Sequence, residues 1–273
     1  MIIHWNPDPE IVRLFGSFSL RYYSLLFVGG LILGYQVVKQ IYKKEGFPPE
    51  QLEKLAMYIF VATILGARLG HCLFYEPEYY LSRPLEMLLP IQFVDGKMQF
   101  TGYQGLASHG GILAVFIAIW IYCRKYKENM FAVLDKVSIG GALAGAFIRL
   151  GNFMNSEIIG KATGGDYGII FDRVDQVPRH PAQLYESIAY FIIFAILFVL
   201  YKKQKGKHAH GWLFGLFFVL LFSARFVIEF FKINQVNFED SLALNMGQLL
   251  SIPFIIFGII IMYIKSKPKT DRS

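Results

Sequence analysis

Four ionisable side chains stand inside or at the ends of apolar stretches where a membrane helix ordinarily carries none: His109, Arg149, Arg225 and Glu229. An arginine at the centre of a bilayer helix costs roughly 2.5–3.5 kcal/mol on insertion scales, so such groups usually face a cavity or a partner. Arg149 opens the run Arg149-Leu-Gly-Asn-Phe-Met-Asn-Ser-Glu157, in which Arg149, Asn152 and Ser156 recur three and then four residues apart. If the helix continues through Gly151, the three share a face that presents donors to an anion. The alternative is a helix-end arginine snorkelling to the interface, which the crowding of Asn152, Asn155 and Glu157 on one turn weighs against. Arg225 and Glu229 are four residues apart, a spacing that equally permits a structural ion pair within one helix. His109 has the intrinsic pKa best suited to moving a proton near neutral pH, and Gly110-Gly111 behind it leaves room for a substrate or another backbone. A lone histidine is also commonly a satisfied structural group. The run Arg179-His-Pro-Ala-Gln-Leu-Tyr-Glu186, including His180, reads either as a substrate clamp or as a hydrogen-bonded helix start at Pro181. Arg68 and His71 read as interface residues, with Arg68 snorkelling.

These groups need a scaffold, and composition fixes its class. Of the 273 residues 55% are hydrophobic and 17% charged, too apolar for an ordinary soluble domain, which predicts an all-α integral membrane protein. The net charge of +7 is no nucleic-acid signal, because Lys and Arg fall in short clusters between apolar stretches and not along one basic face. Apolar stretches at about 18–38, 55–74, 106–123, 131–150, 184–201, 211–231 and 247–264 predict seven spans. Connections 39–54, 124–136 and 202–210, with the tail from 265, hold sixteen of the 27 Lys and Arg. The positive-inside rule then predicts a cytoplasmic C-terminus and, with an odd number of spans, an N-terminus outside. No basic leader or small-residue cleavage site opens the chain, so no cleaved signal peptide is expected.

The outward connections, about 75–105 and 152–183, are longer and rich in Gly, Pro, aromatic and acidic residues. They are expected to form small caps, with a short strand or two in Gly168 to Asp175. No repeat or linker divides the chain, so 1–273 reads as one membrane domain. Cys72 and Cys123 lie near opposite ends of their spans, about 30 Å of bilayer apart, and read as packed thiols that do not pair. No metal-binding spacing occurs, and neither metal nor cofactor is expected.

On residues alone a transporter or channel competes with an enzyme, since His109, Arg149, Arg225 and Glu229 also suit an ion path. Against it, no inverted repeat is evident and the polar groups gather toward the outer half. An intramembrane protease lacks a serine–histidine or paired-aspartate arrangement.

Four segments carry a resemblance: Gly105-Leu-Ala-Ser-His-Gly-Gly111, Arg149 through Gly160, Arg179 through Glu186, and Ala224-Arg-Phe-Val-Ile-Glu-Phe-Phe231. On seven N-out spans they resemble the prolipoprotein diacylglyceryl transferase family through nearly the whole chain. The segment from Arg149 is the specific one; an isolated His-Gly-Gly would be weak. The resemblance implies a multi-pass enzyme of the bacterial cytoplasmic (inner) membrane with its active site toward the outer face. It implies transfer of the diacylglyceryl group of phosphatidylglycerol to the lipobox cysteine of a preprolipoprotein signal peptide, forming a thioether and releasing glycerol phosphate, with no cofactor. Residue by residue it implies catalytic roles for His109, Arg149, Arg225 and Glu229. It implies substrate binding by Tyr23, Arg149, Asn152, Glu157, Gly160, His180 and Arg225. Three positions depart from the family pattern: Ile148 and Ser156 stand where glycine is common, and Leu221 where an aromatic precedes the second arginine. The residue types suit the chemistry, because thiol attack on the carbon next to phosphate needs a thiolate and a stabilised leaving group. Two arginines can hold the phosphodiester, and His109 or a nearby carboxylate, Glu157 or Glu229, can accept the thiol proton.

Overall fold

The computed structural model describes residues 1–14, 18–94, 97–103, 105–203, 209–233 and 244–266. The expected cytoplasmic tail beyond Ser266 and the basic residues Lys205 and Lys207 therefore lie outside the described residues. In chain order the elements are β1 (Ile2–Trp5), β2 (Glu10–Leu14), β3 (Phe18–Arg21), α1 (Tyr22–Lys44), α2 (Pro49–Phe74), α3 (Pro77–Leu81), α4 (Pro84–Leu88), β4 (Ile91–Val94) and β5 (Lys97–Phe100). There follow α5 (Ser108–Tyr126), α6 (Met130–Met154), β6 (Gly168–Phe171), β7 (Pro178–Arg179), α7 (Ala182–Lys203), α8 (Trp212–Ile228) with a 3-10 turn at Glu229–Phe231, and α9 (Met246–Ser266).

Six of these helices, α1, α2, α6, α7, α8 with its 3-10 extension, and α9, are long and apolar enough to cross a membrane. The chain is a mostly helical, multi-pass membrane protein. The third expected span is helical as α5, but His109 at one end and Arg124 and Lys125 at the other dilute its apolar run. It is not among the six.

The chain forms two compact units, Met1–Ile41 with Leu134–Ser273, and Tyr42–Val133. In the first unit Ile41, Ile139, Ala142, Ala146, Tyr190, Ile193, Leu197 and Leu213 form a buried core among α1, α6, α7 and α8. Asp135, buried near the start of α6, accepts the Gly211 and Phe214 amides at 2.7 Å each and so caps α8. At α9 the Gln248 side chain accepts the Asn245 amide at 3.1 Å while Asn245 accepts the Gln248 amide at 2.9 Å, a reciprocal capping box. The strand expected in Gly168 to Asp175 is β6; it pairs antiparallel with β7 and, unforeseen in the sequence, parallel with β1. Beneath this sheet Ile169 and Phe171 pack on Phe153 of α6, and Trp5 donates from its indole to the Phe153 carbonyl at 3.2 Å. The sheet thus anchors the end of α6 that carries the Arg149 motif.

In the second unit α2 packs on α5. A Cβ at Gly110 would run into the Gly66 carbonyl oxygen and come within 2.7 Å of Gly70 Cα. The space that Gly110 leaves is therefore filled by another backbone. Arg68 departs from expectation. It is buried, with Nη2 donating to the Glu86 carbonyl at 2.6 Å and Nε to the Met87 carbonyl at 3.1 Å, while its guanidinium lies 4.5 Å from the Tyr80 ring centroid. Carbonyls at the end of α4 and an aromatic face satisfy it, so it holds the cap over α2 in place and does not snorkel. Both cysteines are buried and free.

Candidate active site

Helix α6 runs unbroken through Gly151 to Met154, which puts Arg149 and Asn152 on one face as their spacing requires. Arg149 Nη1 donates to Asn152 Oδ1 at 3.3 Å, Asn152 Nδ2 donates to Glu157 Oε2 at 3.2 Å, and Asn155 Nδ2 donates to Glu157 Oε1 at 3.0 Å. Ser156 does not share that face. The helix has ended, the residue has φ 55°, and its Oγ accepts from Arg173 Nη2 at 3.1 Å. A left-handed backbone favours glycine, so Ser156 holds a conformation that a side chain adopts at a cost.

On its other edge Arg149 meets Glu186. Its Nε lies 3.0 Å from Glu186 Oε2, a contact ion pair in which the N–H is not aimed at the oxygen. Glu186, wholly buried in α7, also accepts from Lys232 Nζ at 2.7 Å, and the same Nζ lies 3.3 Å from Glu229 Oε2. A continuous polar chain results, Glu157–Asn152–Arg149–Glu186–Lys232–Glu229, crossing from α6 through α7 to the turn after α8. Ions buried this deeply are sustained only by pairing, because each costs several kcal/mol to desolvate.

Arg225 lies one turn before Glu229, yet among the described ion pairs Glu229 is joined to Lys232. Among the described residues Arg225 Nε is buried without a hydrogen-bond partner, as are Glu186 Oε2 and Glu229 Oε2. An unsatisfied buried donor costs about 1–3 kcal/mol, more when charged, so its persistence calls for an explanation such as an anion that fills the site. Glu229 is fixed from α9: Asn245 Nδ2 donates to its carbonyl at 3.3 Å, and a Cβ on Gly247 would lie 2.6 Å from Glu229 Oε1.

Gly160 is where three backbone segments converge. Its amide donates to the His180 carbonyl at 3.0 Å, the Lys161 amide donates to the Phe231 carbonyl at 2.7 Å, and Arg179 Nη1 donates to the Gly160 carbonyl at 3.3 Å. A Cβ there would collide with the His180 carbonyl oxygen and come within 2.7 Å of that of Phe231. This convergence holds Lys232 next to Glu186. Of the two readings of the 179–186 run, the hydrogen-bonded helix start is present: the Ala182 amide donates to the His180 carbonyl at 2.9 Å. The His180 ring sits among Tyr167, Tyr185 and Phe231, with Nδ1 3.2 Å from the Tyr185 hydroxyl. Below it the Arg179 guanidinium beside Asp175 holds that carboxyl below the usual carboxylate range. Tyr23, at the start of α1, lies so close to α6 that a Cβ on Gly151 would be 2.8 Å from its ring.

Thus Tyr23, Arg149, Asn152, Glu157, Gly160, His180, Arg225 and Glu229 all belong to the first unit, where Arg149, Asn152, Glu157 and Glu229 join one network. His109 belongs to the second. It is an exposed residue in the first turn of α5, with Nε2 3.4 Å from the Tyr75 hydroxyl. Glu186 and Lys232 complete the network and were not singled out from the sequence, although Glu186 closes a quoted motif and Lys232 stands three residues after Glu229.

The family profile described as prolipoprotein diacylglyceryl transferase matches residues 9–264. A Bacteroides fragilis protein named phosphatidylglycerol–prolipoprotein diacylglyceryl transferase is 51% identical, the match covering 99% of this chain and 98% of the relative. Proteins of the same name from Tolumonas auensis and Porphyromonas gingivalis are 48% and 41% identical, covering 98% and 94% of this chain and 99% and 92% of theirs.

Proposed function

Because the chain belongs to the prolipoprotein diacylglyceryl transferase family, we propose that it transfers the diacylglyceryl group of phosphatidylglycerol to the cysteine thiol of prolipoproteins. The thiolate attacks the glycerol carbon that bears the phosphate. A carbon–sulfur bond forms, the carbon–oxygen bond to phosphate breaks, and glycerol phosphate leaves. Arg149 and Arg225 grip the phosphodiester and stabilise the charge that collects on the leaving group. The observation that carries this reading is the buried Arg149 network beside an Arg225 Nε that has no hydrogen-bond partner.

Asn152 and Glu157 fix the Arg149 guanidinium, Glu229 shapes the far side, and Tyr23, Gly160 and His180 line the substrate. His109, Glu229 or Glu157 receives the thiol proton. The enzyme works as one membrane domain of seven spans, α5 being the seventh, since the family match runs over both compact units. The caps at about 75–105 and 152–183 lie on the outer face of the bacterial cytoplasmic membrane, the C-terminus is cytoplasmic, and the peptide substrate presents its cysteine within a lipobox. Incubating purified protein with phosphatidylglycerol vesicles and a lipobox peptide tests the proposal. A peptide mass increase equal to one diacylglyceryl group is expected; an unmodified peptide, with the protein folded, would overturn it.

A further inference from the structure

We propose that Glu186 is a positioning residue for the transfer: a buried anion that registers Arg149 and Lys232 as a pair of cations, making Lys232 a third phosphate-directed charge beside Arg149 and Arg225. The inference rests on the phosphate role of Arg149 proposed above.

Each carboxylate oxygen of Glu186 faces a different cation, Oε2 at 3.0 Å from Arg149 Nε and Oε1 at 2.7 Å from Lys232 Nζ. The engagement is selective. Glu186 faces the Nε–H, Asn152 takes one Nη1 proton and Tyr190 a third donor, which leaves two of the five donors, the number a two-pronged grip on a phosphate needs. Lys232 Nζ donates one proton to Glu186 and lies 3.3 Å from Glu229 Oε2 without a hydrogen bond to it, so it is anchored on one side and carries further protons for a phosphate. Without a shared anion two cations this close would repel and swing apart.

Stability alone does not account for the arrangement. Glu186 is 0% exposed and its Oε2 makes no hydrogen bond, whereas apolar side chains of similar volume usually hold a protein interior at least as well as buried ions. The reaction supplies a reason. A phosphodiester carries one negative charge, and as the carbon–oxygen bond breaks the leaving phosphate moves toward two. A second cation fixed beside Arg149 is therefore more useful in the transition state than in the bound substrate, and such interactions raise kcat more than they lower KM.

The test uses Glu186→Gln in the full chain. Glutamine offers one oxygen and one NH2 to two donors, so it keeps one cation and repels the other. We expect kcat to fall by about 10²-fold, the scale of a small misplacement of reacting groups, while KM for phosphatidylglycerol stays level or falls because the site has lost an anion. Glu186→Asp, which keeps the charge, should recover part of kcat. Unchanged kcat in Glu186→Gln, or a fall in kcat/KM carried entirely by a rise in KM, overturns the proposal. If that variant does not purify as folded protein, Glu186→Gln with Lys232→Met removes the buried charges as a pair; normal turnover by the double variant likewise overturns it. Wild type and Arg149→Lys run alongside. An inactive wild type fails the transferase reading and a fully active Arg149→Lys fails the phosphate role, and either takes this inference with it. An active wild type, an impaired Arg149→Lys and a normal Glu186→Gln refute the present inference alone.

Discussion

Arg149→Lys separates charge from geometry at the centre of the network. The arginine has five N–H donors; one Nη1 proton goes to Asn152 at 3.3 Å, Nε–H faces Glu186 at 3.0 Å and Tyr190 engages a third, leaving two for an anion. Lysine concentrates its donors on one nitrogen. If that nitrogen stays with Glu186, it gives the phosphate at most one prong where arginine gives two. A hydrogen bond to a charged group contributes about 1.5–3 kcal/mol, so losing one prong in the transition state slows transfer by about 10- to 150-fold. Stability should change little, because Glu186 keeps two cationic neighbours and no buried charge is left alone. Turnover is read as mass-shifted lipobox peptide per unit time, and folded yield as monodisperse protein in detergent. Turnover within twofold of wild type at normal yield refutes two-pronged phosphate recognition. Equal loss of activity and folded protein would show that the arginine serves the fold.

His109→Gln should stay folded and bind phosphatidylglycerol while transfer slows by about 10² to 10⁴, the usual cost of removing a general base. Its activity should recover as pH rises toward the free thiol pKa of about 8.5, where the substrate ionises unaided; loss of lipid binding with no recovery by pH makes Glu229 or Glu157 the better base. Gly247→Ala places a methyl about 2.6 Å from Glu229 Oε1, so the carboxylate must leave Lys232, and turnover should fall while yield holds; kinetics matching wild type would remove Glu229 from the reaction. Single cysteines test the orientation against a low background, since Cys72 and Cys123 are buried. Asp8→Cys should label from outside intact cells and Ser266→Cys only after permeabilisation, and the reverse pattern would invert the topology.

Local signals in the sequence located the helices, six of the seven expected spans being long and apolar enough to cross a membrane, and non-local ones were silent. Long apolar runs bounded by basic clusters locate the helices, because hydrophobicity over some 20 residues is a property of the segment itself. Strand β1 was invisible, since Ile2 to Trp5 becomes a strand by pairing with Gly168 to Phe171, far along the chain. Arg68 was misread for a similar reason: its partners are carbonyls of Glu86 and Met87, and a carbonyl has no sequence signature. Arg149, Asn152 and Glu157 were legible because they stand within nine consecutive residues. Lys232 was not, because a lysine behind two phenylalanines at the end of an apolar run looks like an interface anchor. Only the convergence of Gly160, His180 and Phe231 turns it inward to Glu186.

That convergence also supports the role proposed for the polar chain. Backbone from residues 160–161, from His180 and from Phe231 meets with no room for a single methyl on Gly160, immediately beside Lys232. The result is a lysine buried between two glutamates that an apolar interior would not need. Three more buried polar atoms, Arg225 Nε, Glu186 Oε2 and Glu229 Oε2, have no hydrogen-bond partner among the described residues although good donors and acceptors belong to the same cluster. A network assembled for stability would close those bonds. One left open, with cations and carboxylates held at fixed separations, suits the role proposed for it, because a guest that brings its own charge and hydroxyls, as the phosphate and glycerol of phosphatidylglycerol do, would close them.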